Sequence, residues 1–365
     1  MKAQNPIDNL LEHPVRWLTV DGPDAGITIS TRIRLARNIS GIQFPTKAGA
    51  RQRQQVLRMA REAISVVNVM EDCLDLEMTT LDELDRLFLL ERHLISREHC
   101  GSSQTSNSVF IAKNENYSVM VNEEDHLRLQ VMSAGLKLDE MWRLADHVDS
   151  QLAEHLQYAY SEELGFLTSC PTNVGTGIRA SVMVHLPGLV CSNQIRAITQ
   201  AVHKIGFVVR GLYGEGSETD GNLFQISNQS TLGESEVYII EKLDKIIRQI
   251  IEHERNARQM LLERRPKYLY DHIGRAYGIL RHAYVLESGE ALRHLSAIRL
   301  GVDIGMFSSI DAKTINELLV NIQPGHLQKG NGRTLNESQR DVARADIVRG
   351  RLNGSSTQRS TDQSH

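Results

Sequence analysis

From Glu234 onward the chain keeps a single periodicity. Ile239, Ile240, Leu243, Ile246, Ile247, Ile250 and Ile251 recur at three and four residues, the spacing of a helix with one continuous apolar stripe. Short helical segments are expected to follow to about Arg351, with breaks at Pro266, Gly289, Gly301 and Pro324. Ahead of this region, short alternating apolar runs are interleaved with helical stretches. The change from mixed sheet-and-helix to all-helix sets a domain boundary near residue 257 and predicts an α+β fold followed by an all-α C-terminal domain. Asn353–His365 contains no apolar residue and is expected to be a disordered tail.

At 365 residues the chain has room for two domains, and a hydrophobic content of 41% supports a normal core. A net charge of −4 gives no electrostatic footprint for nucleic acid, so a bound polyanion must be held by locally clustered arginines. Cys73, Cys100, Cys170 and Cys191 form no CxxC pair, which argues against structural zinc and a disulfide framework and fits a reducing, cytoplasmic setting. Met1–Leu11 lacks the cationic start and apolar core of a signal peptide. No stretch approaches the roughly 18 apolar residues of a membrane helix.

Within the first domain, Ile27, Ile29, Thr31 and Ile33 fall on one face of a strand at period two, and Arg32 and Arg34 on the other. Two arginines pointing the same way suit phosphate oxygens, although a solvated sheet face reads the same. Helices are expected over 46–70, 79–92, 136–163 and Ile195–Ile205, and strands at Val109–Ala112, Val119–Val121, Phe166–Thr168, Ala180–Leu186, Phe207–Arg210 and Leu223–Asn228. Asn122-Glu123-Glu124-Asp125-His126-Leu127-Arg128 puts three acids at a strand end, four residues of spacing between Glu124 and Arg128, and apolar residues on both sides, which points to a cleft. Thr168–Val182 delivers Cys170 and Arg179 to one end of the sheet. Its Gly175-Thr176-Gly177-Ile178-Arg179-Ala180 fits the loose GxGxxA dinucleotide pattern, but a β-branched run follows where that pattern needs a helix. A plain hairpin loop with a solvated arginine remains open. Gly211-Leu212-Tyr213-Gly214-Glu215-Gly216 allows close backbone approach to a ligand.

The arginines beside strands or turns are Arg32, Arg34, Arg128, Arg179 and Arg210. Gathered in one cleft they would repel each other unless an anion sat among them, and ATP with magnesium is the natural occupant. Glu124 and Glu215, each at a strand end, would oppose that anion unless they hold a cation that accepts the phosphoryl group. A guanidinium pairs bidentately with carboxylates and needs to lose a proton before it can attack. Walker A, HRD and DFG sequences are missing, which sets aside P-loop enzymes and ordinary protein kinases.

Three ordered motifs resemble those of the phosphagen (guanidino) kinases: Ser30-Thr31-Arg32-Ile33-Arg34, Asn122–Arg128, and Cys170-Pro171-Thr172-Asn173-Val174-Gly175-Thr176. The likeness covers roughly residues 27–257 and implies that family's antiparallel sheet flanked by helices. It places nucleotide contacts on Ser30–Arg34, His93, Arg128, on Arg179, Ala180, Ser181, Val182 and Met183, and on Arg210, Gly211, Leu212, Tyr213, Gly214 and Glu215. It places the acceptor-holding carboxylates on Glu124 and Glu215 and the reactive thiol on Cys170. Two features depart from enzymes that act on free guanidines. Only residues 1–26 precede the catalytic domain (27–257), and a helical domain (258–352) follows it. That second domain carries Arg340-Asp341-Val342-Ala343-Arg344-Ala345, which resembles the phosphoarginine-binding RDxxRA motif of bacterial protein arginine kinases. The resemblance thus implies ATP-dependent phosphorylation of arginine side chains in proteins, a homodimer, an activator of the McsA type, and delivery of marked proteins to a Clp ATPase. Free arginine kinase activity and a non-catalytic phosphoarginine adaptor are the alternatives.

Overall fold

The computed structural model describes residues 7–211 and 220–354. Its strands are β1 (Thr28–Arg37), β2 (Leu74–Glu77), β3 (Ser108–Ile111), β4 (Tyr117–Val121), β5 (Leu127–Ala134), β6 (Tyr160–Ser161), β7 (Gly165–Phe166), β8 (Ile178–His185), β9 (Phe207–Gly211) and β10 (Leu223–Asn228). Eight form one antiparallel sheet in the order β2-β3-β4-β5-β1-β8-β10-β9, and β6 and β7 form a separate hairpin. Local turn chemistry sets the pairing of β3 with β4: Asn114 Oδ1 accepts from the Asn116 N–H at 3.1 Å, and Glu115 takes a φ of 57°.

Alternation along the strands separates two unlike faces. One carries Ile33, Leu35, Leu129, Val131, Ala180 and Val182. The helices Ala50–Ile64, Leu138–Ala153 and Glu236–Arg264 cover it with their apolar stripes, forming the main core. The other face carries the arginines. Its register has one irregularity, a shift between Thr28 and Ser30 in the pairing of β1 with β8. That shift turns Ile29 away from Ile27 and Ile33 and onto the arginine side, against the period-two expectation. There Ile29, Met132, Met183 and Leu223 form an apolar shelf on which the C-terminal helices sit, with Leu292, Leu295 and Leu319 in the same cluster.

The C-terminal helices are Pro266–His282, Ser288–Asp303, Ala312–Asn321, Pro324–Asn331 and Glu337–Leu352. Pro266 and Pro324 stand in first turns, where a missing N–H costs nothing. Gly289 and Gly301 lie inside Ser288–Asp303 and do not break it. A Cβ on Gly301 would approach Phe307 to 2.5 Å and Ile273 to 2.8 Å, so this glycine permits close packing. Glu236–Arg264 runs through residue 257 without interruption, so the all-helical region begins within one helix that also packs under the sheet. Its Glu254 accepts from the N–H groups of Gly188 and Leu189 at 2.8 and 2.9 Å, and its Arg258 reaches Asp303 at 3.1 Å.

Three expected helices come out shorter by several residues, and the strand expected at Phe166–Thr168 stops at Phe166. The helices at 46–70 and 79–92 are Ala50–Ile64 and Glu83–Glu91. The one at 136–163 stops at Ala153, because the Ala159 N–H donates to Asn38 O at 2.7 Å and Tyr158 pairs with Ile39, which draws the chain out toward β6. Residues 355–365 of the expected tail lie outside the described residues. Among the described residues no helix is long and apolar enough to cross a membrane.

Candidate active site

Between the arginine face and the C-terminal helices lies a cavity of about 1160 Å³, lined by Arg32, Arg34, Arg128, Arg179 and Arg210. All five arginines singled out by their positions beside strands and turns therefore converge. Their arrangement follows from pairing: Arg34 stands directly opposite Arg179 across β1 and β8, and Arg128 lies beside Ala36 on β5. Like charges in direct cross-strand pairs are destabilising. Burial first, and then Arg128 and Arg179, lower the Arg32 pKa to about 10. Burial and then Arg32, Arg128 and Arg179 push that of Arg34 well down too. Arg32 donates to Gln225 Oε1 at 2.6 Å, a neutral partner, and the buried Nε of Arg34 has no acceptor among the described residues. A polyanion entering here would relieve the repulsion and supply the missing acceptors.

The nucleotide positions implied by the resemblance divide by face. Ser30, Arg32, Arg34, Arg179, Ser181 and Met183 alternate with Thr31, Ile33, Ala180 and Val182. Ile33, Ala180 and Val182 belong to the main core, so their side chains turn away from the cavity. Thr31 is spent locally, donating to Gly135 O at 2.7 Å and accepting from the Lys137 N–H at 3.0 Å. Gly211 lines the cavity, whereas Leu212, Tyr213, Gly214 and Glu215 lie outside the described residues.

His93 enters from the loop after Glu83–Glu91. Its neighbour Arg92 is buried and bidentate to Glu115 at 2.8 and 2.6 Å, which anchors the loop. His93 takes a φ of 59° and sets its ring edge-on to Trp17 at 4.8 Å. Burial, then Arg32 and Arg34, hold its pKa down to about 3, so the imidazole is neutral near pH 7.

The acidic turn joins β4 to β5 and its three carboxylates do different things. Glu123, not Glu124, pairs with Arg128, at 2.5 and 2.8 Å, and also accepts from Ser96 Oγ. Burial alone would raise the Glu123 pKa, but Arg128 and Ser96 bring it to about 2. Asp125 Oδ1 accepts from Asn38 Nδ2 and from the Ser169 N–H, each at 2.6 Å. This contact fastens the Cys170 loop to the acidic turn. Glu124 lines the cavity, and burial followed by Asp125 and Glu123 raises its pKa. Cys170 is half-buried, with Sγ 3.0 Å from Thr172 Oγ1, next in the chain to Ser169. Glu123, Ser96 and Gln225 escaped sequence reasoning. The first was masked by the four-residue spacing of Glu124 and Arg128, and the last was legible in the alternation of β10.

Glu123→Gln removes a negative neighbour of Glu124 and frees Arg128, and both changes lower the Glu124 pKa. Activity that requires ionised Glu124 falls as pH drops through that pKa, so the acid limb of kcat/KM should move to lower pH. An unmoved or raised acid limb would separate Glu124 from the limb.

In the C-terminal motif, Arg344 is buried. It donates to Ile322 O at 3.0 Å, Leu286 O at 2.7 Å and Asp341 Oδ1 at 2.5 Å. Arg340 is half-buried and donates to Leu335 O at 2.9 Å, while Ala345 is in the core and Val342 is exposed. The two arginines share a helix, Glu337–Leu352, but only Arg340 keeps an open side.

Residues 55–257 match the family described as ATP:guanido phosphotransferase, C-terminal catalytic domain, and residues 266–363 match the one described as protein-arginine kinase McsB C-terminal domain. The chain is 44% identical over 353 residues to a protein-arginine kinase of Halothermothrix orenii, covering 97% of this chain and 100% of that one. It is 47% identical over 352 residues to a protein-arginine kinase of Brevibacillus brevis, covering 96% of each. Among solved structures it resembles a lombricine kinase, with TM-score 0.57 and 23% identity over 65% of this chain and 69% of that one. It also resembles the duplicated taurocyamine kinase of Schistosoma mansoni, with TM-score 0.58 and 24% identity over 77% of this chain and 40% of that one. At such identity these structures speak for the fold.

Proposed function

The chain belongs to the ATP:guanido phosphotransferase family, as a protein-arginine kinase, and on that premise we propose how its cavity carries the reaction. The arginine face binds the phosphates of ATP. Glu124, joined in this reading by Glu215, holds the guanidinium of a protein arginine against them. As the terminal N–P bond forms, a carboxylate takes the proton from the attacking nitrogen, the γ-P–O bond breaks and ADP leaves. Arg32, Arg34, Arg128, Arg179 and Arg210 neutralise charge at the transferring group, and the Cys170 thiol helps orient the acceptor. Among the described residues no three His, Cys, Asp or Glu side chains converge as metal ligands, and magnesium enters on the nucleotide. The observation that carries this reading is the buried cluster of mutually repelling guanidiniums beside a desolvated glutamate.

Arg340, Asp341 and Arg344 take up phosphoarginine away from the cavity. Because Arg344 already holds Leu286 O and Ile322 O, a ligand there would pull on the helices flanking the motif. Marked proteins pass to a Clp-type ATPase, and a homodimer with an activator protein is the working assembly. The test is incubation with ATP and either an arginine-rich protein or free arginine, reading the product by mass spectrometry for a P–N bond. Phosphoarginine in the protein is expected. Turnover of free arginine with none on protein would overturn the substrate assignment, and an unchanged rate for Glu215→Ala would remove that carboxylate from the reaction.

A further inference from the structure

A second groove, of about 600 Å³, opens on the helix side of the sheet, away from the arginine cavity. Its walls are aromatic: Trp142 from the helix Leu138–Ala153, and Tyr158, Tyr160 and Phe166 around the β6–β7 hairpin. Its charges are mostly negative, with Asp146, Asp149 and Glu236 against the single cation Arg37. Asp146 and Asp149 are three apart on one helix and so share a side. Tyr160 is 59% exposed, so its ring is open to a ligand.

The chain itself demonstrates what such walls accept. Arg37 lies 3.6 Å from the Phe166 ring centroid and donates from both Nε and Nη2 to the one oxygen Asp149 Oδ2, at 3.0 and 2.7 Å. A guanidinium sandwiched between ring and carboxylate therefore forms the floor. The other oxygen of Asp149, Oδ1, is buried without a donor among the described residues, and the residue is only 9% exposed. The Arg37–Asp149 pair is internal to the fold, so the groove's unpaired negative charge comes from Asp146 and Glu236.

The groove is tied to the catalytic loop. Phe166 and Gly175 exchange backbone hydrogen bonds at 2.7 and 3.2 Å, closing a segment that contains Cys170. Arg37 also donates to Thr176 O at 3.0 Å. Ser169 stands three positions after Phe166, at most about 11 Å of chain. Ser169 is bonded to Asp125, the neighbour of Glu124.

Resting on the arginine-kinase reading, we propose that this groove is a second recognition site for the protein substrate. It holds a cationic side chain of an extended segment, about four to seven residues from the arginine being phosphorylated. The aromatic walls receive the cation by its face and stem, and Asp146 and Glu236, not spent on Arg37, supply the counter-charge. An acidic groove also repels the phosphorylated product, so recognition favours segments not yet modified.

The experiment compares two synthetic peptides, each with one acceptor arginine. One carries two lysines four to seven residues away, and in the other they are glutamines. The unaltered protein is expected to show a KM about tenfold lower for the lysine peptide at equal kcat, with the preference shrinking as salt is added. Asp146→Asn with Glu236→Gln should bring the two KM values within about twofold and leave the glutamine peptide unchanged, which also reports intact folding. Tyr160→Ala, at an exposed position, should act in the same direction. A preference that survives the double variant, or that the unaltered protein never shows, overturns the groove and leaves the kinase reading standing. Failure to phosphorylate either peptide removes the kinase reading and the groove with it.

Discussion

Glu124→Gln is expected to lower kcat for arginine phosphorylation by roughly 10²- to 10⁴-fold, the range for loss of a positioned proton acceptor, while ATP affinity stays within about threefold. The isosteric amide keeps the volume of the turn. On the proposed reading it removes the charge that pairs with an incoming guanidinium and the basic oxygen that takes its proton. The neighbouring carboxylates cannot substitute. Glu123 is held by Arg128 and Ser96 with its pKa near 2, too weak a base, and Asp125 is committed to Asn38 and Ser169. A kcat within threefold of the unaltered protein would exclude Glu124 from the reaction.

Arg258→Ala is expected to cost about 3 to 5 kcal/mol of stability, the range for breaking a buried ion pair from one side. Arg258 bonds Glu254 at 2.6 Å and Asp303 at 3.1 Å, and it reaches Gly26 O and His185 O at 3.3 and 3.4 Å. Glu254 is fully buried and its carboxylate caps Pro187–Cys191 through Gly188 and Leu189. Without Arg258 it would keep its burial and lose its counter-ion. Asp303 would retain Arg299, which bonds it at 3.1 Å. Because these contacts join the sheet to the C-terminal helices, the loss should appear in thermal unfolding as an earlier transition of the whole chain. A change below about 1 kcal/mol would mean that water enters and solvates Glu254.

Much of this fold could be read from the chain because its strands alternate cleanly. Arg32 and Arg34 were legible as a pair on one face, and β10 was placed residue for residue. Two failures have local causes. The shift at Thr28–Ser30 rotates Ile29 to the wrong side of a simple period, and no turn residue announces it. β5 escapes the sequence because its start, Leu127-Arg128, runs on directly from the acidic turn, although the alternation is there. In the candidate site, alternation along β1 pointed to Arg32 and Arg34, and position near a strand end pointed to Arg128, Arg179, Arg210 and Glu124. What spacing could not give was partnership. Arg128 chose Glu123 over Glu124, and Arg344 turned into the core, because both outcomes depend on distant elements, Ser96 in one case and Leu286 with Ile322 in the other.

The crowded guanidiniums on one sheet face are the proposed phosphate site. Calorimetric titration of ATP into Arg34→Gln tests that assignment most directly. Loss of one charge-assisted contact should weaken binding by roughly 10- to 100-fold, and relief of the Arg34–Arg179 opposition should leave the thermal midpoint equal to or above that of the unaltered protein. Unchanged ATP affinity in a folded Arg34→Gln protein would contradict it.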